Sequence, residues 1–93
     1  IMIHSFSCSS TEALFQSKVV ARFKNIERVA RRKLLQLHAA TELVSLKIPP
    51  GNQLELLKGN RVGQHSIRIN DQFRVCFRWT EEGPTDVEIV DCH

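Results

Sequence analysis

Length, composition and charge already exclude several classes of protein. The chain has 93 residues, of which 42% are hydrophobic and 25% charged, as expected for one small globular domain. The formal net charge of +3 favours a polyanionic partner, although so small a charge bears on solubility and steering more than on a site. No apolar run approaches the roughly 20 residues that span a bilayer, and none has the pattern of a signal-peptide h-region, so we expect a cytoplasmic protein with no membrane partner.

The first half of the sequence predicts one strand and two helices. Met2–Phe6 is predicted as a short strand, and Ser9 with Glu12 forms a capping-box pattern that opens a helix through about Lys18. Asn25 is predicted to cap a longer second helix. The buried stripe of that helix recurs at helical spacing and consists of Ile26, Val29, Ala30, Leu34 and Leu37.

The second half of the sequence predicts an antiparallel sheet. A further helical turn is expected over 41–46, and the prolines at 49 and 50 then end helical structure, because proline lacks the amide donor. Strands are expected over 54–57, 65–69, 73–79 and 86–91, with connections at 70–72 and 82–84. We therefore expect a single α+β domain over residues 2–93, taking Met2 as the natural start. In it an N-terminal strand and two helices pack on one face of an antiparallel sheet.

Alternation along the strand at 73–79 separates a core face from a basic face. The core-facing positions are Phe73, Val75, Phe77 and Trp79, and the outward positions are Arg74, Cys76 and Arg78. On the preceding strand, Ile67 and Ile69 are expected to face the core, so Arg68 between them is expected on the same outer face. Lys58 and Arg61 come just before that strand, so five cations are expected on or beside one open face of the sheet.

The residues alone leave two interpretations of these five cations. They can bind RNA phosphates and stabilise charge on a phosphoryl group. Alternatively, they are solvated side chains paired with acidic neighbours such as Glu55, Glu81 or Glu88. The same choice applies to the basic helical run Arg28–Lys33, which is either a solvated face or a contact for ribosomal RNA or a partner protein.

Histidines and cysteines add one candidate and exclude a metal site. His93 can exchange a proton near neutral pH if it is held in place, and is otherwise a mobile tail. His38, at a helix end, is expected to be structural. Cys92 and His93 are adjacent rather than spaced for joint chelation, so we expect no metal ion and no cofactor. Cys8, Cys76 and Cys92 are irregularly spaced and are expected to be reduced thiols.

Three motifs in this order resemble the HigB branch of the RelE toxin superfamily, together with its close relative GraT. They are Leu-Lys-Gly-Asn-Arg at 57–61, Ser-Ile-Arg-Ile-Asn-Asp-Gln-Phe-Arg at 66–74 and Ile-Val-Asp-Cys-His at 89–93. The resemblance covers nearly the whole chain and implies a RelE-like fold. It also implies a toxin of a type II toxin–antitoxin system, a metal-independent endoribonuclease that cleaves mRNA in the ribosomal decoding site by 2′-hydroxyl attack.

The resemblance also implies roles for particular residues. Lys58, Arg74 and His93 match the family's catalytic positions, and Arg61, Arg68, Arg78, Asp91 and Cys92 are expected to contact RNA. Two positions depart from the family pattern. Cys92 stands where HigB toxins usually have tyrosine, and Glu55 stands where some have histidine. A thiol cannot stack on a base as an aromatic ring does, so either the activity is weaker or another group compensates.

Partners follow from the same resemblance. It implies a HigA-like helix-turn-helix antitoxin, the ribosome and mRNA as partners, with promoter DNA bound only through the antitoxin complex. Two alternatives keep the fold and lose this activity: a ParE-like gyrase inhibitor and a non-catalytic RNA-binding module. The set Lys58, Arg74 and His93 discriminates among them, because a gyrase inhibitor does not need it.

Overall fold

The computed structural model describes residues 2–91 and contains two helices and a four-stranded sheet. The helices are α1 (Ser9–Phe15) and α2 (Glu27–Ala39), and the strands are β1 (Glu55–Leu56), β2 (His65–Arg68), β3 (Phe73–Thr80) and β4 (Gly83–Asp91). Short 3₁₀ helices lie at Ala21–Ile26, Leu43–Lys47, Pro50–Asn52 and Gly59–Arg61. The predicted α+β class is confirmed.

The sheet is antiparallel throughout, in the order β1-β2-β3-β4. The N-terminal segment runs beside β4, where Phe6 forms a parallel bridge to Val87. Backbone bonds of 3.1 Å from Ser7 N to Val87 O and from Val87 N to Ser5 O hold it there. The strand predicted over Met2–Phe6 is therefore reduced to one bridging residue.

The helices cover one face of the sheet, and the hydrophobic core lies between the helices and that face. Its fully buried members include Leu14, Phe23, Leu34, Leu37, Ile67, Val75, Phe77 and Val87. Trp79 packs partly buried against this cluster. The alternation predicted for β3 is thus confirmed on its core face, which fixes the direction of the opposite face.

Both predicted helix caps are wrong. Helix α1 starts at Ser9 with Cys8 as its N-cap, and no side chain caps it. It ends at Phe15, earlier than predicted, because Ser17 adopts a left-handed φ of 67° and Lys18 N bonds back to Ala13 O at 3.0 Å. Asn25 lies inside a 3₁₀ helix that buries the side chains of Phe23 and Ile26, so α2 begins only at Glu27.

Asn52 fixes the segment between α2 and the sheet. Its side chain is fully buried, and its Nδ2 donates to Leu46 O at 3.0 Å and to Gln36 Oε1 at 3.1 Å. Lys33 Nζ donates to Asn52 Oδ1. The segment 49–52, predicted to end helical structure, therefore closes with Asn52, which is hydrogen-bonded to α2. Strand β1 begins three residues later, at Glu55.

Candidate active site

The face of the sheet opposite the helices is organised in two cross-strand rows. In one, Glu55, Ser66, Cys76 and Glu88 are successive partners across the four strands. In the other, Arg68, Arg74 and Val90 are successive partners across β2, β3 and β4. The backbone thus brings predicted site residues Arg68 and Arg74 side by side, next to a row that contains two carboxylates.

Arg74 is the most firmly held of the predicted site residues. Its Nε donates to Ser66 Oγ at 2.8 Å, and its Nη2 donates to Gln53 O at 2.8 Å and forms an ion pair with Glu55 Oε1 at 2.8 Å. Only 16% of the side chain is exposed. Because the guanidinium is planar and its donors are fixed in a fork, bonds on several sides set its orientation.

The other three arginines of this surface also have acidic partners. Arg61 Nη1 lies 2.7 Å from Glu88 Oε1, and this hydrogen bond raises the pKa of Arg61 above its ordinary value. Arg68 pairs with Asp71, three residues along the chain. Arg78 Nε lies 3.7 Å from Asp86 Oδ2.

The expected ion pairs between these arginines and acidic neighbours are therefore present, with some changes of partner, and RNA binding by the same arginines stays a prediction. Glu55 and Glu88 are partners as anticipated, whereas no ion pair involves Glu81 in the part of the chain that the structure describes. Asp71 and Asp86 complete the set. Any anion that binds these cations must therefore compete with the carboxylates that already hold them.

Lys58 differs from the arginines because its side chain is exposed and forms no ion pair within residues 2–91. It precedes the 3₁₀ helix Gly59–Arg61, and Gly59 has a φ of +67° that favours glycine. The bond from Leu57 N to Gln64 O, at 2.8 Å, closes this loop. Among residues 2–91, Lys58 is thus a cation without an acidic partner, on a loop that starts immediately after β1.

The predicted C-terminal site residues are only partly described. Asp91 ends β4 opposite Phe73 and accepts a hydrogen bond of 3.0 Å from Gln72 Nε2. Cys92 and His93 lie outside the described residues. Within residues 2–91 no group of three or more histidine, cysteine or acidic side chains is arranged to hold a metal ion. No helix there is long and apolar enough to cross a bilayer.

Comparison with known proteins supplies the family. The sequence model for the HigB-like toxin, described as the RelE-like toxin of the type II toxin–antitoxin system HigB, matches residues 10–93. The chain belongs to the HigB-like toxins. A Vibrio cholerae protein named Toxin HigB-1 is 47% identical over 57 residues, which cover 61% of this chain and 60% of that protein. An uncharacterised protein of Haemophilus influenzae is 36% identical over 55 residues, or 59% of this chain and 54% of its own length.

A solved structure confirms the RelE-like fold of this HigB-like toxin. The YoeB–YefM complex from Staphylococcus aureus contains a chain that superposes with a TM-score of 0.57 over 100% of this chain and 99% of that one. The sequence identity is 19%, so the likeness concerns the fold. The curated relatives are matched over 60% and 54% of their lengths.

Sequence reasoning missed the residues that hold Arg74 in this HigB-like toxin. Ser66 lies within the second motif, and its position opposite Cys76 and diagonal to Arg74 follows from the hairpin register. Gln53 contributes a backbone carbonyl from a left-handed conformation with φ 47°, for which the side chain gives no signal. Glu55 was noted only as a possible ion-pair partner and as a departure from the family pattern.

Two histidines, His65 and His38, pack against aromatic rings of the domain. His65 lies on the helix-facing side of β2 and stacks on Phe77 with ring centroids 6.2 Å apart. Burial lowers its pKa below the ordinary value, and its Nδ1 has no partner among the described residues. His38 Nδ1 accepts a bond of 3.2 Å from Ile3 N, and its ring packs on Phe15. The structural assignment of His38 is confirmed.

Proposed function

We propose that this HigB-like toxin is a metal-independent, ribosome-dependent endoribonuclease that cleaves mRNA in the decoding site. One observation carries the proposal: the guanidinium of Arg74, held by Ser66, Gln53 and Glu55 on the open face of the sheet. A cation held in one orientation before substrate binds can stabilise developing charge without reorganisation at the moment of reaction. Family membership supports the class of activity.

The proposed chemistry is an in-line displacement within the RNA. The ribose 2′-oxygen attacks the adjacent phosphorus, the bond from phosphorus to the 5′-oxygen breaks, and the products are a 2′,3′-cyclic phosphate and a 5′-hydroxyl. Arg74 and Lys58 stabilise charge on the phosphoryl oxygens. One proton must leave the 2′-hydroxyl and another must reach the departing 5′-oxygen, and we assign one of these transfers to His93.

The remaining predicted residues position the RNA in this proposal. Arg61, Arg68 and Arg78 exchange their carboxylate partners for phosphates when RNA binds. We also assign contacts with the RNA to Asp91, which ends β4, and to Cys92. The full set acts within one domain over residues 2–93.

Partners and location belong to the same proposal. A HigA-like helix-turn-helix antitoxin neutralises the toxin, and only the complex of the two binds promoter DNA. The toxin acts in the cytoplasm on translating ribosomes. A toxin–antitoxin complex of the same fold supports an antitoxin partner of this kind.

The test adds the purified protein to a bacterial translation extract and maps mRNA ends by primer extension. We expect new ends at codon boundaries that require translation, with 2′,3′-cyclic phosphates on the upstream fragments. Arg74→Ala serves as the negative control. Intact mRNA in an extract that a known toxin cleaves would overturn the proposal, and inhibition of gyrase supercoiling in the same preparation would indicate the ParE-like alternative.

A further inference from the structure

Positive charge in this chain is concentrated on the helical layer rather than on the sheet. Residues 18–33 contain seven of the 13 lysines and arginines and a single carboxylate, Glu27, which gives that segment a net charge of +6. The remaining residues contain six cations and nine carboxylates, a net charge of −3. The net charge of +3 is therefore the sum of a strongly positive segment, residues 18–33, and a negatively charged remainder.

Ion pairing strengthens this contrast. Arg61, Arg68, Arg74 and Arg78 on the sheet side each have a carboxylate partner. On the helical layer, Glu27 pairs with Arg31, whose other donors bond Leu14 O and Lys18 O. Within residues 2–91 no ion pair involves the exposed cations of this layer, Arg22, Lys24, Arg28 and Arg32. The uncompensated positive surface thus lies on the layer away from the candidate active site.

The geometry of α2 aligns two of these cations. Arg28 and Arg32 are four residues apart, about 6 Å along the helix axis, on the side opposite buried Ala30 and Leu34. They line one shallow groove together with Glu27, Arg31 and Leu35. Burial lowers the pKa of Lys33, and the positive charges of neighbouring Arg32 and Arg68 lower it further.

We infer that the outer surface of α2 and of the preceding 3₁₀ helix, centred on Arg28 and Arg32, is a second nucleic-acid surface that binds the phosphate backbone of double-stranded RNA. Interfaces with nucleic acid are more polar and much more positive than those with proteins. A protein interface would need an apolar centre, and Leu35 alone lines this groove as a large hydrophobic residue.

The same surface favours helical over single-stranded RNA. Single-stranded RNA is bound largely by stacking its bases on aromatic rings. The large hydrophobic side chains exposed within the described residues include no aromatic ring, and Phe23 is buried with Arg22 lying 5.2 Å from its ring centroid. This surface can therefore bind RNA through contacts between its cations and the backbone phosphates. The choice of RNA over DNA rests on the proposed ribosomal function, whereas binding itself does not require cleavage.

The test measures binding of the full chain to a fluorescent RNA duplex of about 20 base pairs, long enough to offer two successive minor grooves. Fluorescence anisotropy between about 50 and 200 mM salt gives the slope of log affinity against log salt. We expect Arg28→Gln and Arg32→Gln each to reduce the magnitude of that slope by about 1, and the double variant by about 2. Lys47→Gln, which removes an exposed cation that follows α2, is the matched control and should leave the slope unchanged.

Each outcome bears on the inference. Unchanged slopes in both arginine variants, or an equal loss in Lys47→Gln, would overturn it. Equal affinity for the same duplex made of DNA would overturn the assignment to RNA, and displacement of the duplex by polyglutamate at lower charge concentration would indicate an acidic protein partner instead. Circular dichroism of each variant verifies folding. mRNA cleavage is scored separately, so loss of cleavage with the expected slopes would contradict only the proposed function.

Discussion

Replacing Arg74 with lysine separates charge from orientation at the candidate site. Lysine keeps the positive charge but has a single ammonium in place of the planar fork that reaches Ser66, Gln53 and Glu55. Gln53 and Glu55 are exposed enough to bond water instead. The Ser66 hydroxyl is fully buried, so it alone is left without its partner.

The expected cost in stability is therefore small. One buried hydroxyl that loses its partner costs about 1 kcal/mol, which corresponds to a fall in Tm of about 4–8 °C for a domain of this size. The cost in activity is expected to be larger, on the order of 10²-fold in cleavage, because that is the scale for one oriented donor in a reaction of this kind.

Urea unfolding and primer extension in a translation extract measure the two effects separately. Arg78→Lys is the matched control: its pair with Asp86 spans 3.7 Å and both side chains are nearly half exposed, so its stability should change by no more than about 0.5 kcal/mol. Wild-type cleavage by Arg74→Lys would refute the reasoning, because a merely positive side chain would then suffice. A stability loss above about 3 kcal/mol would instead show that the bonds of Arg74 are mainly structural.

Three further predictions concern the core, a buried histidine and the C-terminal departure. Phe77→Ala should destabilise the fold by about 3–5 kcal/mol in urea unfolding, because the ring is fully buried; a much smaller loss would contradict the assigned core face. Burial lowers the pKa of His65 below its usual 6.5, so the unfolded chain binds more protons and stability should fall as pH decreases below about 6.5. His65→Phe should flatten that dependence in thermal melts at pH 5 and 7. Cys92→Tyr should raise cleavage if the thiol weakens the site, whereas lower cleavage would show that the site depends on the thiol.

The sheet was predictable because its signal is local. Along β3, alternation alone placed Val75 and Phe77 in the core and Arg74 on the opposite face. The hairpin between β2 and β3 followed from the polar residues that separate two apolar strands. The last turn was placed one residue late: Glu81–Glu82 forms it, and Gly83 already pairs with Thr80.

The contacts of the site were not predictable in the same way. The pair of Arg74 with Glu55 depends on the register between β1 and β2, and β1 has only two residues, too few to reveal a period. The bond to Gln53 uses a backbone carbonyl whose direction is set by a left-handed φ. Helix caps failed for a related reason, because burial of Phe23 and Ile26 determined where α2 begins.

Asn52 and Gln53 are neighbours in the chain but serve opposite layers of the molecule. Asn52 is bonded to Lys33 and Gln36 on α2, whereas the carbonyl of Gln53 holds the guanidinium of Arg74. A single peptide unit therefore separates a side chain bonded to α2 from a carbonyl bonded to the arginine on the opposite face of the sheet. The orientation of Arg74 therefore depends on a backbone segment that hydrogen bonds fix to α2, so a substitution at Asn52 should also disturb the opposite face of the sheet.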